Sequence, residues 1–271
     1  MITGMPTHVS IDNLSNLRYE KRDHVATVTI DNPETANAIS GPMALSLRAI
    51  WDDVRTDRSV RVVVVTASGD RHFCTGADLS TPLEGEGRTG DGTFAEEVWW
   101  TPRQAGVWKP SVLAVNGLVA GAGLHFVCDC DIIVASDNAA FTDTHVNVGI
   151  VSSIDGIGLA KRLPLGSALR LSLTGRGYRM RVDRAYQLGL VDEVVPRADL
   201  LRTATEIAEE IAKNSPRATS LTLQSVWSSL EMSHSAANEY GWALSRMHKS
   251  HPDFAEGPRA FAEKRPPNWT D

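Results

Sequence analysis

The fold is decided by residues 111–135 in the middle of the chain, which read SVLAVNGLVAGAGLHFVCDCDIIVA. Ser111–Val115 is apolar on consecutive residues and predicts a strand covered on both faces. Residues 116–123 are rich in glycine and predict a turn, and Leu124–Cys128 predicts a short apolar helix. A second strand is predicted over Asp131–Ala135. Strand, turn, helix and strand in this order indicate a βαβ-like unit in a parallel sheet.

The residues before this stretch predict further β-β-α units. Val62–Val65 is β-branched throughout and suits another buried parallel strand. Leu17–Glu20 and Val25–Ile30 predict an opening hairpin, because a polar turn separates them. Gly41–Arg55 predicts a helix, because Ser40 suits the N-cap and a proline lies in the first turn.

The pattern becomes helical after Gly156. Apolar side chains recur at helical spacing in Leu200, Ala204, Ile207, Ala208 and Ile211. Ser215 and Pro216 open a further helix. We therefore predict an α/β fold in which residues 1–198 form a core of repeated β-β-α units and residues 199–271 form a helical C-terminal subdomain.

The composition is that of a globular protein and excludes several function classes. The chain has 271 residues, of which 42% are apolar and 22% charged, with a net charge of −6. A net negative charge does not favour binding to nucleic acid, which is itself negatively charged. No apolar stretch reaches the ~20 residues of a membrane helix, and Met1–Ser10 does not resemble a secretory signal. We expect a cytoplasmic protein with neither nucleic acid nor membrane as partner, and we expect Cys74, Cys128 and Cys130 to be small buried thiols.

The chain changes character between Ser80 and Thr101, where residues 81–92 hold four glycines and have little to bury. We predict that residues 81–92 form a mobile surface loop, and a lid is one role for it. Trp99, Trp100 and Trp108 follow it, and either an acyl pocket or ordinary core packing accounts for them.

Other segments resemble one family of proteins. Phe73–Leu79, an aromatic residue and two small ones before Gly-Ala-Asp-Leu, is similar to a segment of the crotonase superfamily, the enoyl-CoA hydratase/isomerase superfamily. Further motifs of that superfamily occur in its order: Asp31-Asn32-Pro33, Asn37-Ala38-Ile39, Lys109-Pro110, Ala114–Gly117, Gly121–Gly123, Cys130–Ile132, Ala139–Phe141, Leu188–Asp192, Glu256-Gly257, Ala260-Phe261 and Lys264–Pro267. The resemblance covers about residues 17–269, and the chain is identified as a member of this superfamily.

The resemblance implies a crotonase-like spiral of β-β-α units, whose helical C-terminal subdomain forms homotrimers or dimers of trimers. It also implies an acyl-CoA substrate. Coenzyme A would then be part of the thioester, and we expect no separate cofactor and no metal.

The resemblance also implies site residues. Two backbone N–H groups of the family hold the thioester carbonyl, and the matching positions are Ala77 and Ala122. Fixed N–H dipoles stabilise negative charge on that oxygen without reorganisation. For coenzyme A binding, the matching positions are Gly76, Ala77, Asp78 and Leu79 in one segment and Phe261 and Lys264 near the C-terminus, the latter from a neighbouring subunit in some members.

Two positions depart from the hydratases of the family. Where those proteins resemble one another in two glutamates, this chain has His125 and His145. Imidazole, with an ordinary pKa of about 6.5, remains suited to acid–base catalysis. Because two neighbouring imidazolium ions repel each other, we expect one histidine to act neutral while the other carries the proton.

A carboxylate near His145 is expected to orient its ring. Asp155 lies ten residues after His145, and the pair resembles the His-Asp dyad of the β-diketone hydrolase branch. The alternative orienting group is Asp143, and the alternative role for Asp155 is a helix N-cap.

Three functions follow from these residues. The leading one is an acyl-CoA lyase of the enoyl-CoA hydratase/isomerase type that uses histidines as acid and base. The second is a retro-Claisen hydrolase of a β-diketone or cyclic β-oxoacyl-CoA, with His145 as base and Asp155 as its orienting group. The third is an acyl-CoA binder without catalytic activity.

Overall fold

The computed structural model of the chain describes residues 9–80 and 93–270. Within these ranges the strands are β1 (Leu17–Arg22), β2 (Val25–Ile30), β3 (Val62–Ala67), β4 (His72–Cys74), β5 (Ser111–Val115), β6 (Leu118–Ala120), β7 (Ile132–Ser136), β8 (Ala140–Thr142), β9 (Met180–Arg181) and β10 (Glu193–Val195). The helices are α1 (Gly41–Thr56), α2 (Phe94–Glu97), α3 (Leu124–Asp129), α4 (Ile154–Arg162), α5 (Leu165–Thr174), α6 (Val182–Gln187), α7 (Leu200–Ala212), α8 (Pro216–Ser229), α9 (His234–His248) and α10 (Pro252–Glu263).

Six of the described strands form a large sheet in the order β1-β2-β3-β5-β7-β10. Strand β1 is antiparallel to β2, and the other neighbouring pairs are parallel. Successive residues of a strand face opposite sides of the sheet. Val63 and Val65 accordingly belong to the core cluster that contains α1, whereas Val62 and Val64 pack with the cluster that contains α7. The predicted opening hairpin and buried parallel strand are confirmed.

Helix α7 covers the second face of the large sheet. Its buried side chains are Leu200, Ala204, Ala208 and Ala212, one on each turn. The first helix of the predicted C-terminal subdomain is therefore part of the sheet packing, and helices α8 to α10 follow it. The boundary at residue 198 and the role of residues 199–271 in trimers stay predictions.

A smaller sheet has the order β4-β6-β8-β9. Strands β4, β6 and β8 are parallel, and β9 is antiparallel to β8. The predicted glycine-rich turn runs from the end of β5 through β6 into α3, so the short strand β6 lies inside it.

The predicted loop, residues 81–92, lies outside the described residues. After it come the short helix α2 and then Trp99 and Trp100, which are buried. The indole N–H of Trp99 donates to Ala44 O and that of Trp51 donates to Trp100 O, so both residues are packed into the core around α1. Trp108 is half-buried beside Arg103.

The three cysteines are buried free thiols, as predicted. Among the residues described, no helix has the length and apolar character needed to cross a membrane.

Candidate active site

The carboxyl ends of β4, β6 and β8 create the site. These three strands are parallel neighbours, with Ala120 opposite Thr142 and Val119 opposite Cys74. Parallel strands end at the same edge of a sheet, and ligands bind outside that edge. Residues 75–77, 121–123 and 143–145 therefore leave the sheet side by side.

Glycines allow these segments to approach each other. Gly76 has a φ of +95°, and a Cβ at this position would lie 2.9 Å from the amide nitrogen of Ala122. Gly121 has a φ of +51°, and a Cβ there would lie 2.9 Å from Oγ1 of Thr144. Larger residues would be strained at both positions and would separate the segments.

The amides of Ala77 and Ala122 have different surroundings. Ala77 forms a parallel bridge with Ile39, in which Ile39 N–H donates to Gly76 O and Asp78 N–H donates to Ile39 O. The N–H of Ala77 itself therefore points away from Ile39. Ala122 lies in the short turn Gly121–Gly123 that leads into α3, where the first N–H groups have no partner within the helix.

His145 is held by a buried carboxylate. Asp143 is fully buried, and its Oδ1 accepts from the N–H of His145 at 3.0 Å and from the ring Nδ1–H at 2.8 Å. Its Oδ2 accepts from the hydroxyl of Ser152. Burial favours the neutral form of Asp143, but the hydrogen bonds from His145 and Ser152 outweigh it and lower its pKa. The same hydrogen bond raises the pKa of His145 above its ordinary value, although burial opposes the shift.

Asp155 lies between the two imidazoles. Its Oδ2 is 3.7 Å from Nε2 of His145 and 3.7 Å from Nε2 of His125. Helix packing places it there, since Gly158 on the same face of α4 lies against Cys128 of α3, where a Cβ would come within 2.5 Å of the Cys128 Cβ. Burial raises the pKa of Asp155 to about 7, although the charge of His145 opposes the shift. Its Oδ1 is buried without a hydrogen-bond partner among the described residues.

His125 is held from the opposite side by an amide. It is 6% exposed on α3, and Nδ1 of its ring lies 2.6 Å from Nε2 of Gln104. The ring of Trp100 packs beside it at a centroid distance of 5.6 Å. His125 thus turns Nδ1 toward Gln104 and Nε2 toward Asp155.

The side chains form a row in the order Asp143, His145, Asp155, His125 and Gln104. The Nε2–Oδ2 distances of 3.7 Å exceed a hydrogen bond and leave the central carboxyl able to approach either ring. The pKa of Asp155 is raised to about 7, and the hydrogen bond to Asp143 raises the pKa of His145 above its ordinary value. A carboxyl with this pKa beside a basic imidazole is suited to giving and taking protons.

Comparison with known proteins assigns the chain to a family. Residues 20–271 match the family model described as "Enoyl-CoA hydratase/isomerase". The chain is 32% identical over 250 residues to (E)-benzylidenesuccinyl-CoA hydratase of Thauera aromatica, a match that covers 92% of this chain and 96% of the relative. It is 34% identical over 266 residues to carnitinyl-CoA dehydratase of Proteus mirabilis, with 94% and 98% covered. A solved enoyl-CoA hydratase/isomerase of Mycobacterium paratuberculosis superposes with a TM-score of 0.87 at 36% identity, covering 95% of this chain and 99% of that one.

The chain belongs to the enoyl-CoA hydratase/isomerase family. The predicted superfamily and the α/β fold are confirmed, and so is the class of enzyme, a lyase related to hydratases and dehydratases of coenzyme A thioesters. The resemblance to the β-diketone hydrolase branch stays a prediction.

The structure of this enoyl-CoA hydratase/isomerase family member brings together His125, His145 and Asp155. Asp143, the alternative orienting group, is the residue bonded to Nδ1 of His145, whereas Asp155 faces Nε2. Asp155 lies in the first turn of α4, and the N-cap of that helix is Ser153.

The residues predicted to contact coenzyme A fall in two places. Gly76 and Ala77 lie at the site, and Asp78 and Leu79 continue from them toward the surface, where Leu79 is 58% exposed. Phe261 and Lys264 lie at the end of α10, where Phe261 is 87% exposed and therefore does not pack against the site of its own chain. A role for these two residues in nucleotide binding stays a prediction.

Sequence reasoning missed Gln104. It lies between the predicted loop and the strand at Ser111–Val115. The available signal was the Thr-x-x-Gln pattern over Thr101–Gln104, which is typical of a capping box. Ser152 was also missed, because a serine in a loop gives no sign that it will bond a buried carboxylate.

Proposed function

We propose that the protein is a hydratase or dehydratase of an α,β-unsaturated coenzyme A thioester, with His145 as the base and Asp155 as the acid. The observation that carries the proposal is the convergence of Nε2 of His145 and Nε2 of His125 on Asp155, each 3.7 Å from the same oxygen. This convergence lies at the strand ends that also present Ala77 and Ala122. The relatives named as hydratase and dehydratase support a lyase.

The thioester carbonyl oxygen accepts hydrogen bonds from the N–H groups of Ala77 and Ala122 in this proposal. The outward direction of the Ala77 amide and the approach of Gly76 to the Ala122 nitrogen support it. Addition at the β-carbon moves negative charge onto the thioester oxygen as an enolate. Fixed N–H donors stabilise that charge more than they stabilise the neutral carbonyl.

Proton transfer follows from the row of side chains. In the hydration direction Nε2 of His145 takes a proton from water, whose oxygen bonds to the β-carbon while the C=C electrons shift to form the enolate. The enolate then collapses and its α-carbon takes a proton from Asp155. A carboxyl with a pKa of about 7 is well matched to this donation. His145 returns its proton to Asp155, and dehydration is the reverse sequence.

A second candidate is a retro-Claisen hydrolase, favoured by the hydrogen bond of 2.8 Å between His145 and Asp143. A carboxylate that holds an imidazole in this way makes it a base for activating water in hydrolases. Water would add to a β-carbonyl, the bond between the carbonyl carbon and the α-carbon would break, and the resulting enolate would take up a proton.

Incubation in H₂¹⁸O with mass spectrometry of the products separates these functions. The substrate panel contains crotonyl-CoA, (E)-benzylidenesuccinyl-CoA, carnitinyl-CoA and a cyclic β-oxoacyl-CoA. A lyase gives exchange or addition of one labelled oxygen as hydroxyl, with the carbon skeleton intact, whereas the hydrolase places the label in a new carboxylate. Cleavage of the β-oxo compound alone would replace the proposal by the second candidate.

Crotonyl-CoA serves as the ordinary substrate in this panel. We expect it to be hydrated slowly, since neither family glutamate is present and acid–base catalysis contributes roughly 10²- to 10⁴-fold. Thermal stabilisation by thioesters without turnover of any of them would instead show a non-catalytic binder.

A further inference from the structure

A turn at residues 101–106 places an amide behind His125. Oγ1 of Thr101 accepts from the N–H of Gln104 at 3.2 Å, and Oε1 of Gln104 accepts from the N–H of Thr101 at 3.2 Å. This reciprocal pair is that of a capping box, in which Thr or Ser precedes Gln or Glu by three residues. Oε1 of Gln104 also accepts from the N–H of Trp100 at 3.0 Å. Two backbone donors therefore fix which end of the amide carries the oxygen.

The turn itself is firmly anchored. Thr101 is fully buried, and its hydroxyl donates to Oδ2 of Asp129 at 2.7 Å. The residue before it, Trp100, is held through its carbonyl by Trp51. Gln104 thus has a fixed position as well as a fixed orientation.

The fixed amide determines where the proton of His125 lies. Nε2 of Gln104 donates and does not accept, so Nδ1 of His125, 2.6 Å away, is the acceptor. The ring proton of neutral His125 is then on Nε2, which faces Asp155. His145 has the opposite arrangement, because its Nδ1–H is bonded to Asp143 and its Nε2 presents a lone pair.

We propose that Gln104 is a positioning residue that holds His125 in the Nε2–H tautomer. The catalytic consequence rests on the proposed function: His125 serves as a fixed N–H donor beside Asp155, and His145 is the base that exchanges protons with solvent and substrate. The two imidazoles have different roles because different groups are bonded to their Nδ1 atoms.

Glutamate at position 104 would preserve the turn and change His125. Its carboxylate accepts from the same backbone N–H groups, so the capping box remains. Its second oxygen can only accept, and it would draw the ring proton of His125 from Nε2 to Nδ1. The choice of glutamine over glutamate therefore matters for the imidazole and not for the backbone.

Nitrogen NMR of the protein labelled with ¹⁵N-histidine tests this inference without a substrate, with His125→Gln used to assign the signal. In the wild type we expect an unprotonated Nδ1 and a protonated Nε2 at His125. In Gln104→Glu we expect a protonated Nδ1. Gln187→Glu, which adds the same charge at an exposed position, should leave the signal as in the wild type. A protonated Nδ1 in the neutral ring of the wild type, or an unprotonated one in Gln104→Glu, would overturn the inference.

Kinetics of the same variant separate this inference from the proposed function. On a turned-over thioester we expect Gln104→Glu to lower kcat by about 10²-fold and to change KM little, because binding does not require the tautomer. If the spectra agree but no thioester is turned over, the proposed function fails and the tautomer assignment stands. If Gln104→Glu keeps the wild-type kcat, the role of Gln104 in catalysis is excluded.

Discussion

His145 and His125 bring the same side chain to the same carboxyl group, but they are held from behind by different partners. Nδ1 of His145 is bonded to the carboxylate of Asp143, which only accepts hydrogen bonds. Nδ1 of His125 is bonded to the amide nitrogen of Gln104, which only donates. The first partner raises the pKa of His145 and leaves Nε2 as a lone pair. The second leaves Nε2 of His125 with the proton. One residue type can thus supply both a fixed hydrogen-bond donor and a base, depending on the group bonded to its Nδ1.

The largest effect is expected from removing the base. His145→Gln should keep the fold and lower turnover by about 10²-fold or more, because the lone pair that accepts the proton from water is lost. His125→Gln should lower turnover less than His145→Gln does, because it removes a fixed N–H donor and not the base. Steady-state kinetics measure both, with His234→Gln at an exposed position as the matched control. Turnover by His145→Gln within a few-fold of the wild type would refute its role.

Asp155 is expected to show its effect in stability. Its pKa in the folded protein is about 7, above the ordinary value of 3.8 for an aspartate. The folded state therefore binds this proton more tightly than the unfolded state does. The wild type therefore loses stability as the pH rises from about 4 to about 7. Asp155→Asn removes this penalty and should gain on the order of 2–4 kcal/mol at pH 8.

The gain of Asp155→Asn should disappear near pH 4, where the carboxyl of the folded protein is neutral. Denaturant unfolding at both pH values measures the difference, and Asp137→Asn, at an exposed site, is the control. Equal effects of Asp155→Asn at pH 4 and pH 8 would show that the carboxyl titrates normally.

Asp143→Asn removes the carboxylate that is bonded to Nδ1 of His145. Loss of the carboxylate should lower the pKa of His145, because the hydrogen bond to Asp143 is what raises it. We expect turnover to fall about 10-fold and the acid limb of the pH profile to move to lower pH, since a less basic imidazole deprotonates earlier. An acid limb that stays in place would mean that another group sets it.

The smallest effect is expected on thioester binding. The backbone N–H groups of Ala77 and Ala122 are unaffected by changes at the histidines, so His145→Gln should bind thioesters as the wild type does. At ten times Kd, binding should add about 1.4 kcal/mol to the free energy of unfolding in both proteins. Thermal shift assays with short, medium and branched acyl-CoAs measure this. If none of these thioesters shifts the melting temperature, the proposed thioester site is refuted.

The strands and turns that position the site were predicted well from the sequence, because they depend on local residue patterns. Runs of β-branched residues such as Val62–Val65 mark buried strands, and Gly121 and Gly123 mark the close turn before α3. The positions of His125 and His145 followed from counting along motifs, and the structure places both beside Asp155.

What the sequence did not predict depends on contacts between distant segments. Asp155 was expected behind His145, but the packing of Gly158 on Cys128 carries it to the other side of the ring, and Asp143 takes the place behind. Gln104 lies 21 residues before His125 in a turn, and its amide reaches Nδ1 only because the turn is buried against α3. The spacing of apolar residues along the chain does not indicate such a contact between distant segments.

The pH dependence of turnover in the wild type and the two histidine variants tests whether His145 and not His125 is the base. Wild-type turnover should fall on acidification with an apparent pKa above 6.5, because Asp143 raises the pKa of His145. We predict that His125→Gln keeps this limb at a lower rate and that the residual activity of His145→Gln lacks it. A limb that is kept in His145→Gln and lost in His125→Gln would contradict the account, because the base would then be His125.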